Sequence, residues 1–190
     1  MAIILASKSP RRSELLKRMG LEFIVKASRI DEKMDPFAHP SDEVARVSLA
    51  KAQAVRKNCN PEDIIISADT IVVCDGLMMG KPRSESDAFS MLHRLSGRDH
   101  QVMTGLTVLG PDRTENLTVT TTLRFRALSD TEIRNYIATG EPMDKAGAYG
   151  VQDSGFVSRI RGSFHTVMGF PTEIFQQVCK EILSTMERKS

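Results

Sequence analysis

The sequence predicts an α/β fold, and three observations carry that prediction. The run Ile64-Ile65-Ile66-Ser67-Ala68-Asp69-Thr70-Ile71-Val72-Val73 surrounds a single acid with β-branched residues and reads as a central strand buried on both faces. Segments with apolar residues at helical spacing are interleaved with short β-like runs. Gly, Pro, Asp and Ser clusters mark the boundaries between them. At 190 residues, 41% of them hydrophobic, the chain can build one domain with a substantial core, in two lobes. The formal net charge of +2 excludes a broad nucleic-acid or membrane footprint, so any polyanion must meet cations gathered locally.

In chain order, Ala2 to Ala6 predicts a short buried strand. Ser7-Lys8-Ser9-Pro10-Arg11-Arg12 then turns into a helix carrying Leu15, Leu16 and Met19 and stopped by Gly20. Leu21 to Val25 can form a second strand, and the polar loop after it holds Asp31-Glu32, a pair that alone reads as solvated. Ser41 is the expected cap of a helix reaching about Lys57, with Lys51 at the edge of its apolar face, where a lysine usually snorkels to water. The central strand ends in the turn Asp75-Gly76, and Gly80-Lys81-Pro82 presents one cation near its returning end. Ser84 opens a helix closed by Gly97; His100 to Leu109 and Leu117 to Phe125 form a hairpin about Gly110-Pro111-Asp112. Ser129-Asp130-Thr131-Glu132 is a capping box for a helix ending at Gly140. From Glu141 to Gln152 neither hydrophobic period is present, as in a site loop. Phe156 to Ile160 is the last strand, and Gly169-Phe170-Pro171 leads into a closing helix with Ile174, Phe175, Val178, Ile182 and Leu183 on one face.

The three cysteines, Cys59, Cys74 and Cys179, are widely spaced and suit buried thiols in a reducing compartment. His39, His93, His100 and His165 lack metal-binding spacing and read as structural or surface residues. The N-terminal apolar run is too short for a signal peptide and is followed, not preceded, by Arg11-Arg12, which predicts a cytoplasmic protein.

Chemistry is sought among the polar residues that interrupt this pattern. A carboxylate inside an apolar strand costs several kcal/mol, roughly the desolvation of a charged group, unless a cation, a metal or donors face it. Asp69 therefore needs a partner, either a structural Arg or Lys or the contents of a site. At Ser7 to Arg12 a strand, a loop and a helix N-terminus add two hydroxyls and two guanidinium groups to free backbone amides, an arrangement that suits phosphate; a capped helix with solvated arginines is the plainer reading. Ser7, Arg11, Arg12, Glu32, Lys51, Asp69, Lys81, Asp144, Lys145 and Gln152 together supply what a triphosphate needs. Cations hold its oxygens, while carboxylates hold a divalent ion and orient water. No Walker loop, GxGxxG or Ser-His-Asp order is present, so the residues alone reach metal-assisted phosphate chemistry.

The motifs Ser7-Lys8-Ser9-Pro10-Arg11-Arg12, Ser67-Ala68-Asp69-Thr70, Gly80-Lys81-Pro82, Gly140 to Gln152 and Gly169-Phe170-Pro171 occur in the order seen in the Maf nucleoside triphosphate pyrophosphatases, and the chain resembles that family nearly end to end. The resemblance implies an elongated mixed sheet flanked by helices, like inosine triphosphate pyrophosphatase, in one domain over residues 1–190 with two lobes and a central cleft. It also implies a homodimer and release of pyrophosphate from a nucleoside triphosphate with Mg²⁺ or Mn²⁺. Asp69 matches the family's proton acceptor; Glu32, Lys51, Lys81 and Arg12 match residues around the phosphates and metal, with Glu32 and Asp69 on the metal. Ser7, Ser9, Arg11, Arg12, Thr70, Lys145 and Gln152 fall to substrate binding. Arg11, Thr70 and Gln152 side with the dTTP/UTP branch rather than the 7-methyl-GTP branch, which has an aromatic residue in place of that Arg. A Gln amide can donate to and accept from the O4/N3–H edge of uracil or thymine, including modified pyrimidines. Asp153-Ser154-Gly155 is shorter than the Gly-rich loop of relatives and sets the charge of Asp153 beside that base pocket. A non-catalytic nucleotide-binding regulator of cell division or shape is the alternative; tight UTP binding without turnover would mark it.

Overall fold

The computed structural model describes residues 1–187, with side chains described through Lys180. Its elements are β1 (Ile3–Leu5), α1 (Pro10–Arg18), β2 (Ile24–Val25), α2 (Pro40–Arg56), β3 (Ile64–Cys74), β4 (Leu77–Met79), α3 (Glu85–Leu95), β5 (Asp99–Leu109), β6 (Thr114–Phe125), α4 (Asp130–Ala138), β7 (Val157–Arg161), α5 (Phe164–Val167) and α6 (Thr172–Glu187). The strands pair in the order β2-β1-β3-β5-β6-β7, with β4 also on β3, so the sheet has seven strands and the α/β expectation holds. Two compact units divide the chain. The first holds Met1–Asp69, Thr104–Val119 and the segment from Gly169 onward; the second holds Thr70–Met103 and Thr120–Met168.

In the first unit β1 runs parallel to both β2 and β3, with Ile4 opposite Ile24 and Ile65. Parallel neighbours need a crossover, which α1 and α2 supply. Ile4, Ala6, Ile65, Ala52 and Val55 close the core beneath α2. Contact between α2 and β5 is backbone-close: a Cβ on Gly105 would lie 2.4 Å from the Val44 carbonyl oxygen, so only glycine fits. Beside it the hydroxyls of Ser48 and Thr107 are 2.7 Å apart, and the Asn116 amide donates to Thr107 Oγ1, Ser48 Oγ and the Ala45 carbonyl. These bonds fix the rotation of α2 about its axis.

In the second unit β3 reverses through Asp75 and Gly76, both left-handed at φ 51° and 77°, and pairs antiparallel with β4. That is the turn a right-twisted hairpin demands. β6 and β7 also pair antiparallel, Leu123 opposite Ile160. The core gathers Leu92, Leu95, Phe125, Ile133, Tyr149 and Phe156 under α3 and α4. Ser129 caps α4 in the expected capping box; its backbone and hydroxyl hydrogen bonds, with help from Arg126, pull the Glu132 carboxyl down to about 2. Gly147, at φ 68°, donates to the Gly80 carbonyl, and a Cβ there would fall 2.6 Å from Val72 Cγ2.

Some boundaries differ from expectation. Pro40, not Ser41, begins α2, because proline is at home in a first turn that needs no donor; His39 is the N-cap and Ser41 Oγ pairs with His39 Nδ1 and Asp42 instead. Only Ile24–Val25 of the predicted second strand pairs, both exposed on a sheet edge. β6 begins at Thr114 because the Gly110 N–H bonds the Arg113 carbonyl and closes the turn early. Two 3₁₀ turns, Glu141–Asp144 and Ala146–Ala148, lie in the expected loop, and the short α5 was not foreseen. Phe175 and Val178 of α6 are buried; the side chains of Ile182 and Leu183 lie outside the described residues.

Two outcomes follow. Gly147→Ala combines strain at positive φ with a clash on Val72, and urea unfolding should show a loss of about 2–4 kcal/mol. His100, 3% exposed and 2.8 Å from the Tyr149 hydroxyl through Nε2, is driven by burial to about 4, the Arg98 backbone and Asp99 pulling the other way without prevailing. Between its ordinary 6.5 and about 4 the unfolded chain binds a proton that the folded chain refuses. Stability should therefore fall as pH drops through that window, by about 3 kcal/mol in all. Urea titrations at pH 7 and 4.5 should show this, and His100→Gln should flatten the dependence.

Candidate active site

The centre of the first unit is the face that β3 turns toward α2. Ser67 and Asp69 share that face because strand side chains alternate. Ser67 Oγ donates to the Ser48 carbonyl at 2.6 Å, and Lys51 Nζ donates to Asp69 Oδ1 at 2.6 Å, so two strand residues grip one helical turn. Lys51 is 6% exposed and does not snorkel to water as expected. Its ammonium also lies 2.8 Å from Glu32 Oε2, and Glu32 is half exposed. Asp69 is thus buried, and its contact runs on through Lys51 to a side chain open to solvent. Removing one member of such a buried pair costs about 3–5 kcal/mol, because the other is left uncompensated.

Glu32 is held there by its loop. Asp31 Oδ1 accepts the Lys33 N–H, Asp35 Oδ1 accepts the Phe37 N–H, and buried Glu43 on α2 accepts the Asp35 N–H at 2.9 Å. Arg46 donates through Nε to Glu43 Oε2 at 2.9 Å and through Nη2 to the Lys33 carbonyl at 3.0 Å. Hydrogen bonding to Arg46 holds the Glu43 carboxyl below its usual range, against burial. One turn of α2 therefore ties down the loop, and the next but one presents Lys51 to its acid.

At the start of α1 the Ser9 side chain caps the helix by accepting the Arg12 N–H. Ser7 Oγ accepts the Ser9 N–H at 3.2 Å and Arg12 Nη1 at 3.1 Å, while Arg12 Nε donates to the Gly169 carbonyl at 2.8 Å. Burial pulls the Arg12 guanidinium below its ordinary value; Asp69 and Glu32 oppose this, and neighbouring Arg11 adds to it. Arg12 therefore stands in the field of the same two carboxylates that Lys51 bridges. No acid occupies the first turn of α1, which leaves the helix dipole uncompensated.

The structure brings Ser7, Ser9, Arg12, Glu32, Lys51 and Asp69 together in the first unit, with Arg11 on the first turn of α1. Thr70, Lys81, Lys145 and Gln152 belong to the second. There Lys81 and Gln152 are exposed and Thr70 is half-buried. Lys145, 7% exposed, is committed within its own loop: Nζ meets Glu141 Oε2 at 2.6 Å, Asp144 Oδ1 at 3.2 Å and Asp153 Oδ2 at 3.6 Å. Burial would lower its pKa, yet Glu141, Asp144 and Asp153 prevail and raise it. Sequence reasoning missed Ser67, whose alternation with Asp69 could have shown it, and Glu43 with Arg46, which read as an ordinary helix surface.

Among the described residues no group of three or more His, Cys, Asp and Glu is placed to hold a metal. Glu32 and Asp69 nonetheless offer hard carboxylate oxygens to a single cation, the Lys51 ammonium. Mg²⁺ and its like keep several waters and take one or two carboxylates plus substrate phosphates, so this donor pair suits such an ion.

Comparison with known proteins places the chain. It is 42% identical over 185 residues to the dTTP/UTP pyrophosphatase of Vibrio parahaemolyticus serotype O3:K6, covering 96% of this chain and 98% of that one. It is 44% identical over 181 residues to the dTTP/UTP pyrophosphatase of Bacillus velezensis, covering 94% and 95%. The structure of the Staphylococcus aureus Ham1 protein shares the fold, with a TM-score of 0.51 at 15% identity, over 94% of this chain and 98% of that one. The family described as Maf-like protein matches residues 2–182, and with relatives alike from end to end the chain belongs to the Maf family.

Proposed function

We propose that the protein hydrolyses dTTP and UTP, and modified pyrimidine triphosphates of the same edge, to the monophosphate and pyrophosphate. The observation that carries this reading is the bridge Glu32–Lys51–Asp69 beside Arg12, in a chain whose relatives at 42% and 44% identity are named dTTP/UTP pyrophosphatases. Water attacks phosphorus, the anhydride bond between the first and second phosphorus atoms breaks, and pyrophosphate leaves. Asp69 takes the proton from the attacking water. Lys51 and Arg12 face the charge that builds on the phosphate oxygens as the bond stretches. Ser7, Ser9 and Arg11 supply hydroxyl, amide and guanidinium donors at the mouth of α1.

Charge supports a divalent ion in the same reading. Lys51 and Arg12 only balance Glu32 and Asp69, and Arg11 adds a single positive charge, so a triphosphate brought beside them needs more. Glu32 and Asp69 would hold Mg²⁺ or Mn²⁺, which when bound neutralises phosphate charge and acidifies water. On the family likeness, Lys81 is assigned to the phosphates, Lys145 to substrate binding, and Thr70 and Gln152 to the base. The reading extends to a homodimer in the cytoplasm. All three cysteines are free thiols, as suits a reducing compartment, and no described helix is long and apolar enough to cross a membrane.

Asp69→Asn should lower pyrophosphate release from UTP by about a thousandfold or more, mostly in kcat. A first product of orthophosphate would rule the reaction out. Glu43→Ala releases the Glu32 loop without touching the reacting groups, and kcat should fall by about tenfold while urea unfolding shows a loss of about 1–2 kcal/mol.

A further inference from the structure

The turn that carries Gln152 hangs on a single phenol. Tyr136 projects from α4, 9% exposed, with its ring edge-on to Phe156 at 5.0 Å. Its hydroxyl accepts the Gly150 N–H at 3.0 Å and donates to Asp153 Oδ1 at 2.9 Å. The Ser154 N–H closes the same turn on the Gly150 carbonyl at 3.2 Å. Asp153 folds back over the backbone so tightly that a Cβ on Gly150 would meet its Oδ1 at 2.3 Å. Its other oxygen lies 3.6 Å from Lys145 Nζ, which Glu141 fixes in turn. Both ends of the segment are therefore tied to one hydroxyl oxygen, and exposed Gln152 lies between the ties. Burial, and then the hydrogen bond to Asp153, keep the phenol well above its ordinary pKa against the pull of the Gly150 N–H, so it stays a donor.

We infer that Tyr136 and Asp153 are positioning residues for base selection, holding the Gln152 turn so that its amide meets the pyrimidine edge in one orientation. The inference rests on the assignment of Gln152 made above. Uracil presents an acceptor at O4 and a donor at N3, whereas cytosine presents a donor at N4 and an acceptor at N3. A turn anchored on both sides fixes where the Gln152 amide stands against the base, so the edge it is placed for is bound at hydrogen-bond distance and another is held off it. Asp153 supplies a tie that a glycine at that position could not.

The test measures pyrophosphate release from UTP and CTP by wild type, Tyr136→Phe, Asp153→Asn and Asp153→Ala. Tyr136→Phe keeps the ring in its apolar seat and removes both hydrogen bonds. The UTP-to-CTP ratio of kcat/KM should fall by about tenfold, through KM for UTP, with kcat for UTP within about twofold of wild type. Asp153→Asn retains an acceptor oxygen and should keep most of the ratio, whereas Asp153→Ala should lose it; this pair decides the matter even if Tyr136→Phe folds poorly. An unchanged ratio in Tyr136→Phe or Asp153→Ala, with wild type selective for UTP, overturns the inference and leaves the reaction standing. Equal loss in Asp153→Asn and Asp153→Ala overturns it in favour of a charge effect. A wild-type enzyme without preference for UTP removes the assignment of Gln152 and this inference with it.

Discussion

Everything in the first unit is arranged about one contact between opposite charges out of water, Asp69 on β3 and Lys51 on α2. A lone carboxylate among Ile65, Ile66, Ala68 and Ile71 would be intolerable, so helix and strand must be placed together and to within a hydrogen bond. The Gly105 approach to Val44, the Ser67 bond to Ser48 and the hydroxyl network around Thr107 all serve to hold α2 at that distance. A pair of apolar side chains would satisfy the packing at least as well. Retaining ions there, with a second carboxylate reaching in from a loop, agrees with the role proposed for Asp69 and Glu32.

How much could be read beforehand depended on the range of the interaction. Local devices were legible: the Ser84 cap, the Ser129 box and the Asp75-Gly76 reversal each involve residues within four positions. Asp69 stood out because nothing else in its run is charged, and Ser7 with Arg12 because strand, turn and proline announced a helix mouth. For Lys51 the spacing alone favours a snorkelling lysine, because it shows which edge a residue occupies and not what stands opposite. Glu32 stands out as a polar interruption, but only likeness to a family pairs it with Asp69, since a loop has no period to read. Ser67 and Glu43 act on partners in other elements, and no local pattern encodes those.

The second unit spends its charges differently. Lys145, placed among substrate-binding residues by its motif, is met by Glu141, Asp144 and Asp153, and so stiffens the loop it belongs to. Tyr136 does the same from beneath. Where the first unit uses an ion pair to join a strand, a helix and a loop, the second uses one to give a turn a fixed shape.

The pair Ser48 and Thr107 has an evolutionary corollary. Both are fully buried with their hydroxyls 2.7 Å apart, so an apolar replacement at one takes a bond from the other at about 1 kcal/mol, whereas Asn116 is exposed and can trade its bonds for water. Lineages descending from a common ancestor should therefore inherit or discard the two buried hydroxyls together, while the residue at 116 drifts on its own.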